Sequence, residues 1–196
     1  MSIDDVRDEL AGDNARNKWI GVWIGVLAVL LAVCGVGGGN ATKDANRANI
    51  DASNTWAFFQ AKNIRRTSYI LAADELELTL LAQPGLTPEA AQAINAKISA
   101  WRATAERYRS EPDTREGLTE LSAQAKELQS ERDVALRKDP YFDFAGALIQ
   151  IGIVLASVAI IAGTSTLLLA SFAAGGLGTL LMLNGFWLFV AVPFLG

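Results

Sequence analysis

The sequence predicts an all-α membrane protein with three transmembrane helices and an extended antiparallel helical hairpin, coiled-coil-like, between the first and second. Three observations carry this. Residues 144–196 contain no Asp, Glu, Lys or Arg. A bilayer core needs about 20 consecutive apolar residues per helix, so this run is long enough for two crossings. Residues 19–42 are also free of charge, which is enough for one more. The polar stretch between them repeats its apolar residues at intervals of seven, or alternating three and four, the period of helices that face helices.

Composition narrows the function classes. Of the formal charge of −4, residues 1–18 carry three basic and five acidic groups, and the polar middle is nearly balanced. No segment is basic enough to follow a nucleic-acid backbone, so no nucleic-acid partner is expected. Cys34 is the single cysteine, which rules out an intrachain disulfide. There is no histidine. A transition-metal site would need carboxylates alone, and acid–base chemistry at neutral pH lacks its commonest residue. Carboxylate pairs such as Asp74 and Glu75 have no nucleophile, phosphate loop or metal spacing beside them. The expectation is a non-enzymatic protein with no catalytic residue, metal or cofactor.

Residues 1–18 read as a charged, solvated arm, with Asp4, Asp5, Asp8, Glu9 and Asp13 ahead of Arg16 and Lys18. Residues 19–39 read as the first transmembrane helix, with Trp19 and Trp23 at the headgroup level. Lys18 and the stretch Leu31 to Cys34 faintly resemble a secretory signal and lipoprotein box. Val33 is too large for the residue before such a cysteine, so the segment is expected to be retained. Within it Gly21, Gly25, Ala28, Ala32, Gly35 and Gly39 recur at alternating four and three. Small side chains let two backbones approach closely where lipid offers no hydrophobic reason to associate. The stripe is therefore a packing face, either for the C-terminal hairpin of the same chain or for another subunit. The glycines at 37–39 also predict a hinge.

Residues 40–140 form the extramembrane helical hairpin. Ile50, Ala57, Ile64, Leu71 and Leu78 keep a strict interval of seven in a stretch without Pro or Gly, which predicts a long helix with one narrow seam toward a partner helix. Gln83, Pro84 and Gly85 predict a turn, Thr87 a helix cap, and Pro88 a first helical position. A second seam runs Ala91, Ile94, Ile98, Trp101, Ala105, Tyr108; a third runs Leu118, Leu121, Ala125, Leu128, Arg132, Ala135. The register slips by one where Pro112 stands, so a break is expected there. At about 1.5 Å per residue, one 43-residue arm going out is matched by two shorter segments returning in series.

Asp139, Pro140, Tyr141, Phe142 and Asp143 read as the return to the bilayer. Transmembrane helices are expected at 144–170 and 177–194, with the turn at Ser171 to Gly176. Gln150, Ser157, Thr164 and Asn184 are candidates for a pore lining or for interhelical hydrogen bonds. None of the hairpin's polar groups is ionisable, which counts against a proton relay.

The segment Trp56 to Arg65 (W-A-F-F-Q-A-K-N-I-R) and the segment Asp139 to Ala159, with the W-I-G-V-W-I-G start of the first membrane helix, resemble a bacterial membrane family known as domain of unknown function 4337. The resemblance covers nearly all of the chain after residue 16. It implies a multi-pass protein of the bacterial cytoplasmic membrane and no particular chemistry.

Trp56, Phe59, Gln60 and Lys62 make the densest cluster of large aromatic and polar groups in the polar region. Such a patch fits a lipid head group, a partner protein, or an anchor against Trp101 or Tyr108. The function expected is a self-associating scaffold or an accessory subunit of a larger membrane complex. A homo-oligomeric channel for small solutes is the alternative. Basic residues near the membrane ends, Lys43, Arg47, Arg132, Arg137 and Lys138 against Arg7, Arg16 and Lys18, tilt the polar region toward the cytoplasm.

Overall fold

The computed structural model describes residues 3–193, with side chains from Asn14 onward. The acidic side chains expected in the N-terminal arm, and Phe194, lie outside the described residues. Among the described residues there are four helices and no strand: α1 (Ile3–Ala82), α2 (Pro88–Arg109), α3 (Leu118–Ala162) and α4 (Ser165–Trp187). Three of them are long and apolar enough to cross a membrane.

Two expected boundaries vanish because the helices run through them. α1 has no hinge at residues 37–39, and the backbone of the expected arm is already helical from Ile3. The polar region 40–140 is not a separate hairpin domain, since its first arm belongs to α1 and its last to α3. Pro140 sits inside α3 rather than ending it. Proline removes the hydrogen bond to the carbonyl four residues back. That residue, Leu136, is half exposed.

The chain divides into two compact units, residues 1–45 with 133–196, and residues 46–132. In the first, α1 contributes Ile20, Leu27, Cys34 and Ala41 to the interior, α3 contributes Ala145, Ile149, Ala156 and Ala159, and α4 contributes Ser171, Gly175, Gly178 and Met182. The expected turn at 171–176 is a mid-helix contact instead, and the turn falls at Gly163 and Thr164. Gly163 adopts φ +66°, where a side chain would be strained. Gly178 is needed for a different reason: a Cβ there would stand 2.8 Å from Ile149 and 3.0 Å from the Ala145 carbonyl. Gly175, which read as part of a loop, instead lets α4 approach α1, since a Cβ there would stand 2.7 Å from Leu27 and 3.0 Å from Trp23. The transmembrane candidates are accordingly the apolar part of α3 and all of α4, shifted from the expected 144–170 and 177–194.

Two polar side chains of this unit meet across its helices. Trp23 Nε1 donates to Ser171 Oγ at 3.0 Å, and Ser171 Oγ donates to the Gly152 carbonyl at 2.7 Å, so one hydroxyl joins α1, α3 and α4. Phe142 fills the space left by Gly37, Gly38 and Gly185. Its carbonyl accepts from Cys34 Sγ at 3.1 Å.

In the second unit α2 and the start of α3 run back along α1 in series. Arg102 meets Asp74 and Glu77, Tyr69 meets Tyr108, Lys62 meets Glu111, and Arg132 meets Asn49, so position falls along α1 as it rises along the return. Thr87 caps α2 by accepting from the Ala90 N–H at 3.3 Å, with Pro88 at the first position. The break around Pro112 spans residues 110–117. There Ser110 Oγ (2.7 Å) and the Glu111 N–H (3.1 Å) donate to the Glu120 carboxylate and hold it below the usual glutamate range. The seams of α2 and α3 are the buried or half-buried positions. The seam expected on α1 is not: Ile50, Ala57, Ile64, Leu71 and Leu78 are all exposed. α1 turns inward Ala48, Ala52, Lys62 and Ala73 instead. Close helix approach selects small volume at these positions, which hydropathy alone does not weigh.

Candidate functional site

Three sets of residues stand out as candidate interaction sites, and the structure distributes them differently. The small-residue stripe Gly21, Gly25, Ala28, Ala32, Gly35 and Gly39 is exposed along its whole length. A Cβ built on Gly21, Gly25, Gly35 or Gly39 would meet nothing within 4 Å. The stripe therefore does not meet the α3–α4 hairpin of its own chain. That hairpin takes the face carrying Leu27 and Cys34, leaving the small side chains pointing away.

The aromatic and polar patch is split by the helix turn. Trp56 and Phe59 touch edge to face with centroids 5.3 Å apart, and Gln60 is exposed. Lys62 goes the other way and is only 7% exposed. Its Nζ lies 2.5 Å from Glu111 Oε2 and 5.2 Å from the Tyr108 ring centroid. Glu111 also takes Arg107 at 3.3 Å. A buried ammonium needs a counter-charge, and here the counter-charge comes from the segment joining α2 to α3. Lys62 thus serves as an anchor against Tyr108, one of the two roles open from sequence. Arg65 lies beside it on the wall of a cleft of about 240 Å³ with Phe58, Arg107 and Glu116.

The four polar residues of the apolar hairpin are not brought together. Thr164 lies in the α3–α4 turn, and Asn184 is near the other end of α4, roughly 30 Å away at the helical rise. Asn184 Nδ2 donates to the Val190 carbonyl at 2.7 Å, and its Oδ1 accepts from the Val190 N–H at 3.0 Å. It ties the tail to the helix end, together with Tyr141, whose hydroxyl accepts from the Val192 N–H at 2.9 Å. Ser157 donates to the Ile153 carbonyl of its own helix at 2.8 Å. Gln150 lines a cleft of about 470 Å³ with Cys34, Gly38, Asp139 and Asp143. Thr42 Oγ1 donates to Asp139 at 3.0 Å on its rim.

Sequence reasoning missed Ser171 and Phe142 as organisers of the three-helix contact. Ser171 was hidden in an apparent loop. The signal available was its four-and-three spacing with Gly175, Gly178 and Met182. Among the described residues, no three His, Cys, Asp or Glu side chains gather as a metal-holding group.

Fold and geometry define a class: an all-helical protein with three helices long and apolar enough to cross a membrane. Within that class the chain belongs to the family described as domain of unknown function (DUF4337), whose model matches residues 16–188. No curated protein and no solved structure matches it.

Proposed function

We propose that this is a multi-pass protein of the bacterial cytoplasmic membrane, with its polar unit in the cytoplasm, acting without catalysis as a self-associating scaffold or as an accessory subunit of a larger membrane complex. The observation that carries the reading is the uncovered small-residue face of α1. Gly21, Gly25, Gly35 and Gly39 have open space where Gly175, Gly178 and Gly185 of α4 are filled. Small residues in a lipid-facing helix are where another helix comes close. The membrane assignment draws support from the outward side chains of the same unit. Val22, Val29, Val36, Val154, Ile161 and Leu180 are exposed on segments without a charge, and exposed apolar side chains grouped on uncharged segments mark a membrane or protein contact.

The pore alternative has less behind it, because Ser157 and Asn184 are satisfied locally and Thr164 stands apart from both. The test is the subunit count of the purified protein in mild detergent, with identification of whatever co-purifies. A defined oligomer, or a stoichiometric complex with another membrane protein, is expected. Gly25→Leu with Gly35→Leu is expected to reduce it. A lone monomer unaffected by those changes, or conductance on reconstitution, would overturn the proposal.

A further inference from the structure

We infer that the outward face of α1 in the polar unit, centred on Ile50, Ala57, Ile64, Leu71 and Leu78, is the seat of a second copy of the same helix, parallel and in register. The inference rests on the self-association proposed above and names the surface that performs it.

The starting point is an unusual pattern of exposure. A helix that borders water ordinarily turns charge outward and aliphatic side chains inward. Over this stretch α1 departs from that in two ways: one charge, Lys62, is only 7% exposed, and a row of aliphatic side chains faces outward among the exposed charges, Ile50 and Ile64 being 58% and 67% exposed. The chain's own α2 and α3 are already spent on the other side, through the Tyr69–Tyr108 and Lys62–Glu111 contacts. Nothing in the unit is left over to cover the outward face.

Period and charge point to the occupant. A strict interval of seven, sustained from residue 50 to residue 78, keeps one stripe facing a partner only if that partner is a helix winding with the same repeat. Among the described residues, α1 itself carries such an unused stripe. The flanks suit self-pairing. Between Asn49 and Ser68 the exposed residues three or four positions from the stripe are Ser53, Asn54, Gln60, Ala61, Thr67 and Ser68, none of them charged; Arg65 stands to one side, and further along Asp74 and Glu75 flank Leu71 and Leu78, with Asp74 paired to Arg102. Along the first part of the stripe two copies therefore approach without like-charge repulsion, and a strongly charged foreign partner would find nothing there to pair with. Parallel orientation follows from the membrane reading, because two copies inserted the same way present the same stripe at the same height.

The test is oxidative cross-linking of single-cysteine variants in native membranes, in a Cys34→Ser background that keeps a donor to the Phe142 carbonyl. Ile50→Cys and Leu78→Cys are each expected to give a dimer of the chain, about tenfold above that of Lys126→Cys, an exposed position on α3 outside the stripe. An antiparallel pair would instead cross-link only when the Ile50→Cys and Leu78→Cys chains are mixed, and that outcome overturns the inference. So does cross-linking to a different polypeptide, or no cross-link at either position. Ile64→Lys with Leu71→Lys is expected to cut the Ile50→Cys dimer at least tenfold while leaving the helical circular dichroism unchanged. If cross-links fail but the protein is still oligomeric in mild detergent, only this surface is wrong. If it is monomeric there as well, the self-association reading falls with it.

Discussion

Lys62 shows how a single charge determines where the returning helices dock. The ammonium is enclosed between Tyr108 and Glu111, so its desolvation is offset only while Glu111 is in place. Lys62→Met is expected to lower stability by about 1–3 kcal/mol, the range for leaving a buried polar partner unpaired. The low end is expected, because Glu111 retains Arg107. Adding Glu111→Gln should restore part of the loss, as measured by thermal unfolding in detergent. Glu120 has a pH signature of its own. The Ser110 hydroxyl and the Glu111 N–H favour its ionised form and lower its folded pKa. Its contribution is therefore present above the unfolded glutamate pKa and lost as pH falls through the lower folded value. Glu120→Gln should melt earlier than the parent at neutral pH, and the two curves should merge in acid. A gap that stays constant with pH would count against this assignment.

At the scale of elements, glycines that look alike in sequence do different work. A Cβ on Gly178 would crowd the Ala145 backbone carbonyl, which cannot swing aside as a side chain tip can. Gly178→Ala is expected to cost about 1–3 kcal/mol, typical of overpacking, and to lower the melting temperature. Gly25→Ala faces open space and should leave the melting of the monomer unchanged. Periodicity exposed much of this level. The cap at Thr87, the first-turn Pro88, the break at Pro112 and the seams of α2 and α3 all stand where their spacing puts them. The face of α1 was not legible. Its inward positions are Ala48, Ala52, Lys62 and Ala73, whose merit is small size or a specific ionic partner, while the strongest apolar period belongs to residues that point away. The turn of the apolar hairpin was misplaced for a related reason, since Gly175 permits close contact as readily as it permits a bend. Of the candidate site residues, Lys62 was singled out but its burial against Glu111 was not, because that contact joins positions 49 apart.

For the whole molecule, the proposed topology rests on three helices long and apolar enough to cross a membrane. The proposed arrangement puts the Thr164 turn on the opposite side of the membrane from Thr87. In a Cys34→Ser background, Thr164→Cys is expected to react with an impermeant maleimide on intact cells, and Thr87→Cys only after lysis. Labelling of both on intact cells would contradict the three-crossing topology, and the reverse pattern would invert the orientation. The class of the protein was legible in local chemistry: segments without charge have the length and composition to cross a membrane, and apolar positions three and four apart mark the packed faces of α2 and the first part of α3. Which face of each helix is used depends on contacts between residues far apart in sequence, such as Trp23 with Ser171 and Gly37 with Phe142. Those contacts select for complementary volume and paired polar atoms, and neither quantity can be summed along a single helix.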